Sequence, residues 1–385
     1  MKLPKLRFCE ILIIIIALIL LAYVFYDYIR KVMTVKEGMK SDEPFYNEVM
    51  KEIGYKEIDT KEMPSGINNM PASSQDMELM QYCVKGSANS AYSGQYISDE
   101  MVKYVLSRGC RFLDFEVYYL PIGDDEDEKD TFAPYVGYSS DPSSINSTTK
   151  NNYLFRKVLK STLSNAFTQQ SGEKYESPNS KDPLFIHIRI KTDTKNKDKL
   201  YDMIQSDIQS VFNSGYNDYF LVKRKNDVII PTQIDGTTSI KRLVQKVVMI
   251  FDYEPENVIG SFHNMTSDSA QLSRMTYDEM NTFKYKAMPP KRLDSSRTDI
   301  TKLKMAVPDS NRSDQENPNI HGAIKNYGVQ FTLIQYYNTD MNLILAESMF
   351  QRYSAAILPM SLLLNYIKNS GVSVSHAVSP KLFAT

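Results

Sequence analysis

Between residues 81 and 372, short apolar runs alternate with stretches whose apolar positions recur every three to four residues, the pattern of strands interleaved with amphipathic helices. Tyr82–Lys85, Arg111–Tyr118, Tyr135–Tyr138, Leu184–Ile190, Val247–Phe251, Val329–Tyr336 and Ala355–Leu358 read as strands. Ser98–Leu106, Leu154–Phe167, Lys197–Phe212 and Met341–Phe350 read as helices, the first capped by Ser98 and stopped by Gly109. Repeated strand–helix units over about 300 residues predict an α/β fold, and a (β/α)8 TIM barrel matches that length. Sites in such barrels lie at the C-terminal ends of the strands.

The N-terminal part breaks the pattern. Residues 1–8 are basic (Lys2, Lys5, Arg7), and Ile11 to Phe25 is almost unbroken in apolar side chains. With its flanks, residues 9–29, the run reaches the ~20 residues that span a bilayer. Tyr23, Tyr26 and Tyr28 supply an aromatic belt, and Arg30-Lys31 a basic stop. No small-x-small cleavage site follows, so the segment reads as a retained single-pass transmembrane helix and not as a signal peptide. Basic residues on both sides leave its orientation open. Residues 30–80, charged and Met-rich with breakers at Pro64-Ser65-Gly66 and Met70-Pro71-Ala72, read as a juxtamembrane stalk. The barrel is placed at 81–372 and a C-terminal tail at 373–385. Sequons at Asn146, Asn264 and Asn311 matter only for a lumenal domain.

A formal net charge of -1 gives no global field that would favour nucleic acid. Cys9, Cys83 and Cys110 form neither a disulfide framework nor a zinc pattern, which points to a reducing compartment, with a Cys83–Cys110 bridge between neighbouring strands as the alternative. The acidic run Asp124–Glu128 reads as a solvated insertion.

Candidate chemistry concentrates in Tyr82–Tyr92 and Gly109–Glu116. The first is a short strand opening into a Gly/Ser/Asn turn; the second carries Asp114 and Glu116 two positions apart, hence on one strand face. The Asn89 amide and two carboxylates are the oxygen donors that a hard cation such as Ca2+ prefers.

Ser87-Ala88-Asn89-Ser90, Gly109–Glu116, Leu154–Leu159 and Pro183–Ile188 together resemble the X half of phosphoinositide-specific phospholipase C. Ser273–Thr276, Lys291–Ser296, Gly328–Gln335 and Asn338–Leu343 resemble its Y half, in the family's order. The similarity covers roughly residues 80–370, and nothing resembles the family's pleckstrin, EF-hand or C2 modules. The resemblance implies a distorted TIM barrel that cleaves the phosphodiester of inositol phospholipids. It implies one histidine as general base and a second as general acid, with Ca2+ lowering the pKa of the inositol 2-hydroxyl.

At the reacting positions this chain departs from the family. Ala88 stands where the family has its first catalytic histidine, and Val136, in Tyr135-Val136-Gly137-Tyr138, stands at the second. Neither side chain moves a proton. Of the family's metal ligands Asn89 is kept, Asp114 and Glu116 keep carboxylates with exchanged lengths, and the fourth, a Glu, falls on Arg189, with Lys191 two further on. A cation there repels Ca2+ and is placed to pair with Asp114 or Glu116. His187 shares a strand face with Arg189 but sits about 7–13 Å deeper and reads as structural. His263, in the loop after Val247–Phe251, is the candidate substitute base; His321 and His376 give no signal. Ser273 and Arg274 match the family's Ser-Arg pair that holds inositol phosphates, a task suited to the planar guanidinium.

Three readings result. The first is a membrane-anchored, catalytically inactive phospholipase C-like pseudoenzyme. Its repurposed pocket of Asn89, Asp114, Glu116, Arg189, Lys191 and Arg274 binds an anionic lipid head group, or the barrel scaffolds a protein partner. The second is an active phosphodiesterase with rearranged residues such as His263. The third is a structural membrane protein whose pocket is plugged by Arg189–carboxylate bridges. No cofactor is expected, Ca2+ binding being weakened by Arg189, and a single anchor on a degenerate barrel suits a viral or intracellular membrane.

Overall fold

The apolar runs become the wall of a barrel. The computed structural model describes residues 51, 66–122, 132–141, 143–168, 175–225, 228–253, 262–266, 272–277, 280, 302–309 and 315–369. Among these, eight strands are joined by parallel pairing: β1 (Tyr82–Ala88), β2 (Phe112–Pro121), β5 (Leu184–Lys191), β8 (Val247–Phe251), β9 (Met265–Thr266), β10 (Leu272–Thr276), β11 (Leu303–Val307) and β12 (Phe331–Gln335). Their order, β10-β11-β12-β1-β2-β5-β8-β9, follows the chain around a ring that is open only between β9 and β10. This is the nearly closed (β/α)8 arrangement expected from the alternation of strands and helices.

Helices α1 (Asp99–Ser107), α2 (Phe155–Phe167), α3 (Lys197–Val211), α4 (Ile320–Tyr327) and α5 (Met341–Arg352) connect strands on the outside, and α6 (Met360–Asn369) closes the described chain. Ser98 caps α1 by accepting from the Met101 amide at 3.1 Å. An antiparallel arm, β3 (Phe132–Gly137) with β4 (Tyr153–Leu154), pairs onto the far half of β2. β13 (Ile357–Pro359) pairs antiparallel with β1. A separate hairpin, β6 (Val222–Lys225) with β7 (Val228–Pro231), stands outside the main sheet.

Period-two alternation along the strands sends one set of side chains inward. Toward the strand starts that set is apolar: Tyr82, Val84, Phe112, Phe185, Val248, Leu303, Met305 and Phe331 pack as one buried cluster. Phe112 touches both Phe185 and Phe331, with ring centroids 6.1 and 4.8 Å away. The same cluster takes in Met70, Leu79, Ile234, Ile240 and Leu243, which close the barrel from below.

Residues 66–80 therefore do not behave as a stalk. Ile67, Met70 and Leu79 are buried, and the Leu79 and Met80 amides donate to Thr238 O and Gly236 O. Breakers such as Pro71 resemble a linker in sequence, yet here they bend a segment that lines the barrel base. Cys83 and Cys110, the alternative bridge, are both free and buried, and burial pushes both thiols up to about 12. The 9–29 segment, Cys9, the acidic run Asp124–Glu128, Lys291–Ser296, Asn311, His376 and the 373–385 tail lie outside the described residues. Among the described residues no helix is long and apolar enough to cross a membrane.

Candidate functional site

The inward positions turn polar at the strand C-terminal ends. β2 and β5 pair in register, Asp114 with His187, Glu116 with Arg189 and Tyr118 with Lys191. Partners in a ladder share a face, so these six side chains form two facing rows pointing into the barrel. β1 ends beside them. Asn89 takes φ 44, a left-handed conformation that Asn tolerates better than most residues, and its amide donates to Asp114 Oδ2 at 3.0 Å.

The guanidinium of Arg189 lies at the centre of Asn89, Asp114 and Glu116. It bonds Asp114 through a two-pronged fork, Nε to Oδ1 at 2.9 Å and Nη2 to Oδ2 at 2.7 Å. Nη1 donates to Glu116 Oε1 at 2.6 Å, and Nη2 also reaches Asn89 Oδ1 at 2.8 Å. Charge-assisted, forked bonds of this length are the strong kind. Lys191 Nζ lies 3.6 Å from Glu116 Oε1. The two carboxylates thus face two cations, and the cluster is internally neutral.

The remaining lone pairs are taken as well. Asp114 Oδ1 also accepts from His187 Nδ1 at 2.8 Å, which fixes the proton on that nitrogen because a carboxylate only accepts. Glu116 Oε2 accepts from the Tyr118 hydroxyl at 2.8 Å and the Ser139 amide at 3.2 Å. Burial raises the Asp114 pKa, but the Arg189 charge and the His187 hydrogen bond outweigh it and hold the carboxyl well below the usual range. Burial lowers the Arg189 pKa, and Asp114 and Glu116 more than reverse that, so the guanidinium stays charged.

Arg189 is only 5 % exposed, which leaves its donors no route to an external anion. Above it, Tyr92, Tyr138 and Tyr337 make an aromatic cover. Tyr92 and Tyr138 stack at 3.6 Å, and Tyr337 meets them edge-on at 5.0 and 5.8 Å. Each follows a strand, and all three are buried. Burial lifts the Tyr337 pKa well above its ordinary value, with Asn89 hydrogen-bonded to the ring hydroxyl. At the end of β10, Tyr277 is buried and donates to Leu333 O, filling the interior from the other side. Sequence reasoning missed these tyrosines, because an aromatic beside a turn gives no sign of facing inward.

The other sequence candidates fall elsewhere. Ala88 belongs to the apolar cluster of the interior. Val136 pairs with Val117, both buried. His187 lies one position pair below Arg189 as expected, while its Nε2 is buried without a hydrogen-bond partner among the described residues. His263 precedes β9 and packs against Phe251 at 5.2 Å, and Phe251 in turn meets Tyr201 of α3. It therefore sits in the layer between wall and helices, not at the mouth, and burial lowers its pKa to about 4. Ser273 and Arg274 are exposed on β10 beside the open seam, and no hydrogen bond of the described residues links them to the Arg189 cluster. Asn264 is buried, so its sequon is closed to a glycan in the folded chain; Asn146 is exposed.

As a donor set for Ca2+, the site does not fit. Asn89, Asp114 and Glu116 converge as such a ligand set would, but a protein cation already holds the position and every acceptor of Asp114 is in use.

No family model and no curated protein matches the chain. Solved structures do. PLC21 from L. pealei superposes with a TM-score of 0.53 at 13% identity, over 78% of this chain and 39% of that one. PLC21 from S. officinalis gives 0.49 at 13% identity, over 76% and 38%. A calcium-dependent phosphoinositol-specific phospholipase C from Pseudomonas sp gives 0.38 at 11% identity, over 77% and 99%. The chain thus spans about two-fifths of the length of the first of these, and the likeness to it shows a PLC-like barrel fold.

Proposed function

We propose that this chain is a phospholipase C-like pseudoenzyme, held to a membrane by Ile11–Phe25, whose barrel serves in binding or scaffolding and not in hydrolysis. The observation that carries the reading is Arg189. Its guanidinium occupies the point where Asn89, Asp114 and Glu116 converge, at 2.6–2.9 Å from their oxygens. Phosphodiester cleavage of this type needs a proton acceptor, a proton donor and a counter-charge open to the substrate phosphate. Ala88 and Val136 supply neither of the first two, and Arg189 and Lys191 spend their charge on Asp114 and Glu116.

The burial of Arg189 shifts the expected binding role away from the pocket interior. Arg189 has no free donor face, so among the phosphate candidates the exposed pair Ser273 and Arg274 remains for an inositol phospholipid, and the outer surface for a protein partner. The test is direct. Full-length protein is incubated with vesicles of phosphatidylinositol and phosphatidylinositol 4,5-bisphosphate, with Ca2+ and with chelator. Inositol phosphate release stays at blank in both conditions on this reading. Release above blank would overturn it.

A further inference from the structure

His321 is the second residue of α4, whose Asn319 cap accepts from the Gly322 amide at 3.1 Å, and it is only 1% exposed. Neither Nδ1 nor Nε2 has a hydrogen-bond partner among the described residues. A neutral imidazole always carries one N–H and one lone pair, so a donor and an acceptor are both buried unsatisfied. The ring meets Tyr366 of α6 edge-on, with centroids 5.6 Å apart. That helix is lightly held. Of its ten residues only Leu363 and Ile367 are buried, while Ser361, Leu364, Asn365 and Lys368 are exposed. An element that buries so little opens locally at low cost, with the rest of the fold intact.

The groups packed around this ring do not favour a positive charge on it. Arg352 of α5 lies over the Tyr366 ring at 5.5 Å, and Tyr353 meets the same ring at 6.0 Å. Lys325 of α4 and Lys368 of α6 are the cations of the two helices, and Lys304 of β11 is bound to Tyr327 O at the far end of α4. The acids of α5 are taken: Glu347 by Lys85 and Arg108, and Asp340 at the cap by the Asn317 and Leu343 amides. A place in the first turn of a helix adds the positive end of its dipole. Burial lowers the His321 pKa from its ordinary 6.5. With the folded value depressed, docking holds fully above about pH 6.5 and weakens as pH falls below it, because the opened chain takes up the proton first. We propose that His321 is an acid-operated latch on α6: the helix stays docked against α4 while the imidazole is neutral, and protonation of the ring opens that contact without unfolding the barrel.

The test is hydrogen exchange of the full-length protein, read by mass spectrometry at about pH 7.5 and about pH 5, with labelling times scaled to the intrinsic exchange rate. Peptides from α5 serve as the internal reference. Protection of α6 is expected to fall at the lower pH while that of α5 holds. Between the two conditions the opening constant rises by up to about 30-fold, the ceiling that an ordinary imidazole pKa of about 6.5 sets. His321→Phe, which puts an uncharged ring in the site, should remove the pH dependence and leave α6 docked throughout. A circular dichroism melt at neutral pH checks that this variant is folded, and His321→Gln, equally uncharged, takes its place if it is not. Equal protection of α6 at the two pH values in the parent chain overturns the proposal. So does a loss that persists in the His321 variant, which assigns it to another group, and so does a loss that α5 shares, which makes it unfolding of the barrel.

Discussion

Arg189→Ala tests the central feature of the site. The substitution removes four charge-assisted hydrogen bonds at 2.6–2.9 Å and leaves Asp114 and Glu116 buried, with Lys191 at 3.6 Å as the nearest cation and His187, the Asn89 and Ser139 amides and the Tyr118 hydroxyl as hydrogen-bond donors. Stranding one side of a buried ion pair costs about 3–5 kcal/mol. Partial compensation by Lys191 favours the lower end, about 3 kcal/mol, and at about 2–4 °C per kcal/mol for a domain of this size the melting temperature should fall by roughly 6–12 °C. The vacated position then offers three oxygen-bearing side chains to a hard cation. With a Kd of about 0.1 mM, typical of weak Ca2+ sites, 10 mM Ca2+ would restore about 2.7 kcal/mol. The assay is differential scanning calorimetry of parent and variant, each with 10 mM Ca2+ (about 100 times the assumed Kd) or with chelator. Calcium should raise the variant and leave the parent unmoved. A variant melting within about 1 °C of the parent, or a parent stabilised by Ca2+ as much as the variant, would refute the idea that the guanidinium stands in for a metal.

Other perturbations probe the surroundings. His263 has an ordinary pKa near 6.5 when unfolded and is depressed to about 4 by burial in the fold, so the unfolded chain binds the proton first and stability should drop as pH falls from about 6.5 to about 4; urea titrations of His263→Gln should show that drop removed. Asp207 is raised to about 6 by burial, with Arg156 pulling the other way, so its carboxylate destabilises the fold as pH rises through that range; Asp207→Asn should stabilise by about 1 kcal/mol at pH 7, after allowing for solvent screening, and by nothing near pH 4. Outside the wall, Glu347 is buried between Lys85 at 2.8 Å and Arg108 at 2.5 Å and accepts from the Tyr336 hydroxyl; Glu347→Gln strands two cations and should cost about 3–5 kcal/mol in a chemical melt, with Glu347→Asp recovering part of it.

Much of the architecture is legible in the chain because burial imposes periodicity. Val247–Phe251 is apolar at every position since both of its faces are covered, and Asp114 and Glu116 stand on one face since strand side chains alternate. That Ala88, Val136 and Arg189 stand at their positions is likewise a fact of sequence order. Short or mixed elements were not legible. β9 has two residues, β6 carries three cations, and α4 is eight residues long, so none presents a full period of either pattern.

What the sequence by itself determined, then, is the alternation that makes a barrel and the residue types at its mouth. Tertiary structure alone decided where the Arg189 charge goes. A long cationic side chain at a strand end is equally able to reach solvent, and only the in-register pairing of β2 with β5, together with the left-handed turn at Asn89, brings three acceptors around its guanidinium. The same holds for Tyr92, Tyr138 and Tyr337, which are distant in the chain and meet because three strands end together. It holds for His263 too, whose place in the outer layer is set by its packing against Phe251 of β8. Periodicity is a local consequence of burial and survives in a one-dimensional string; the direction of a charged side chain is set by partners far away in sequence, and does not.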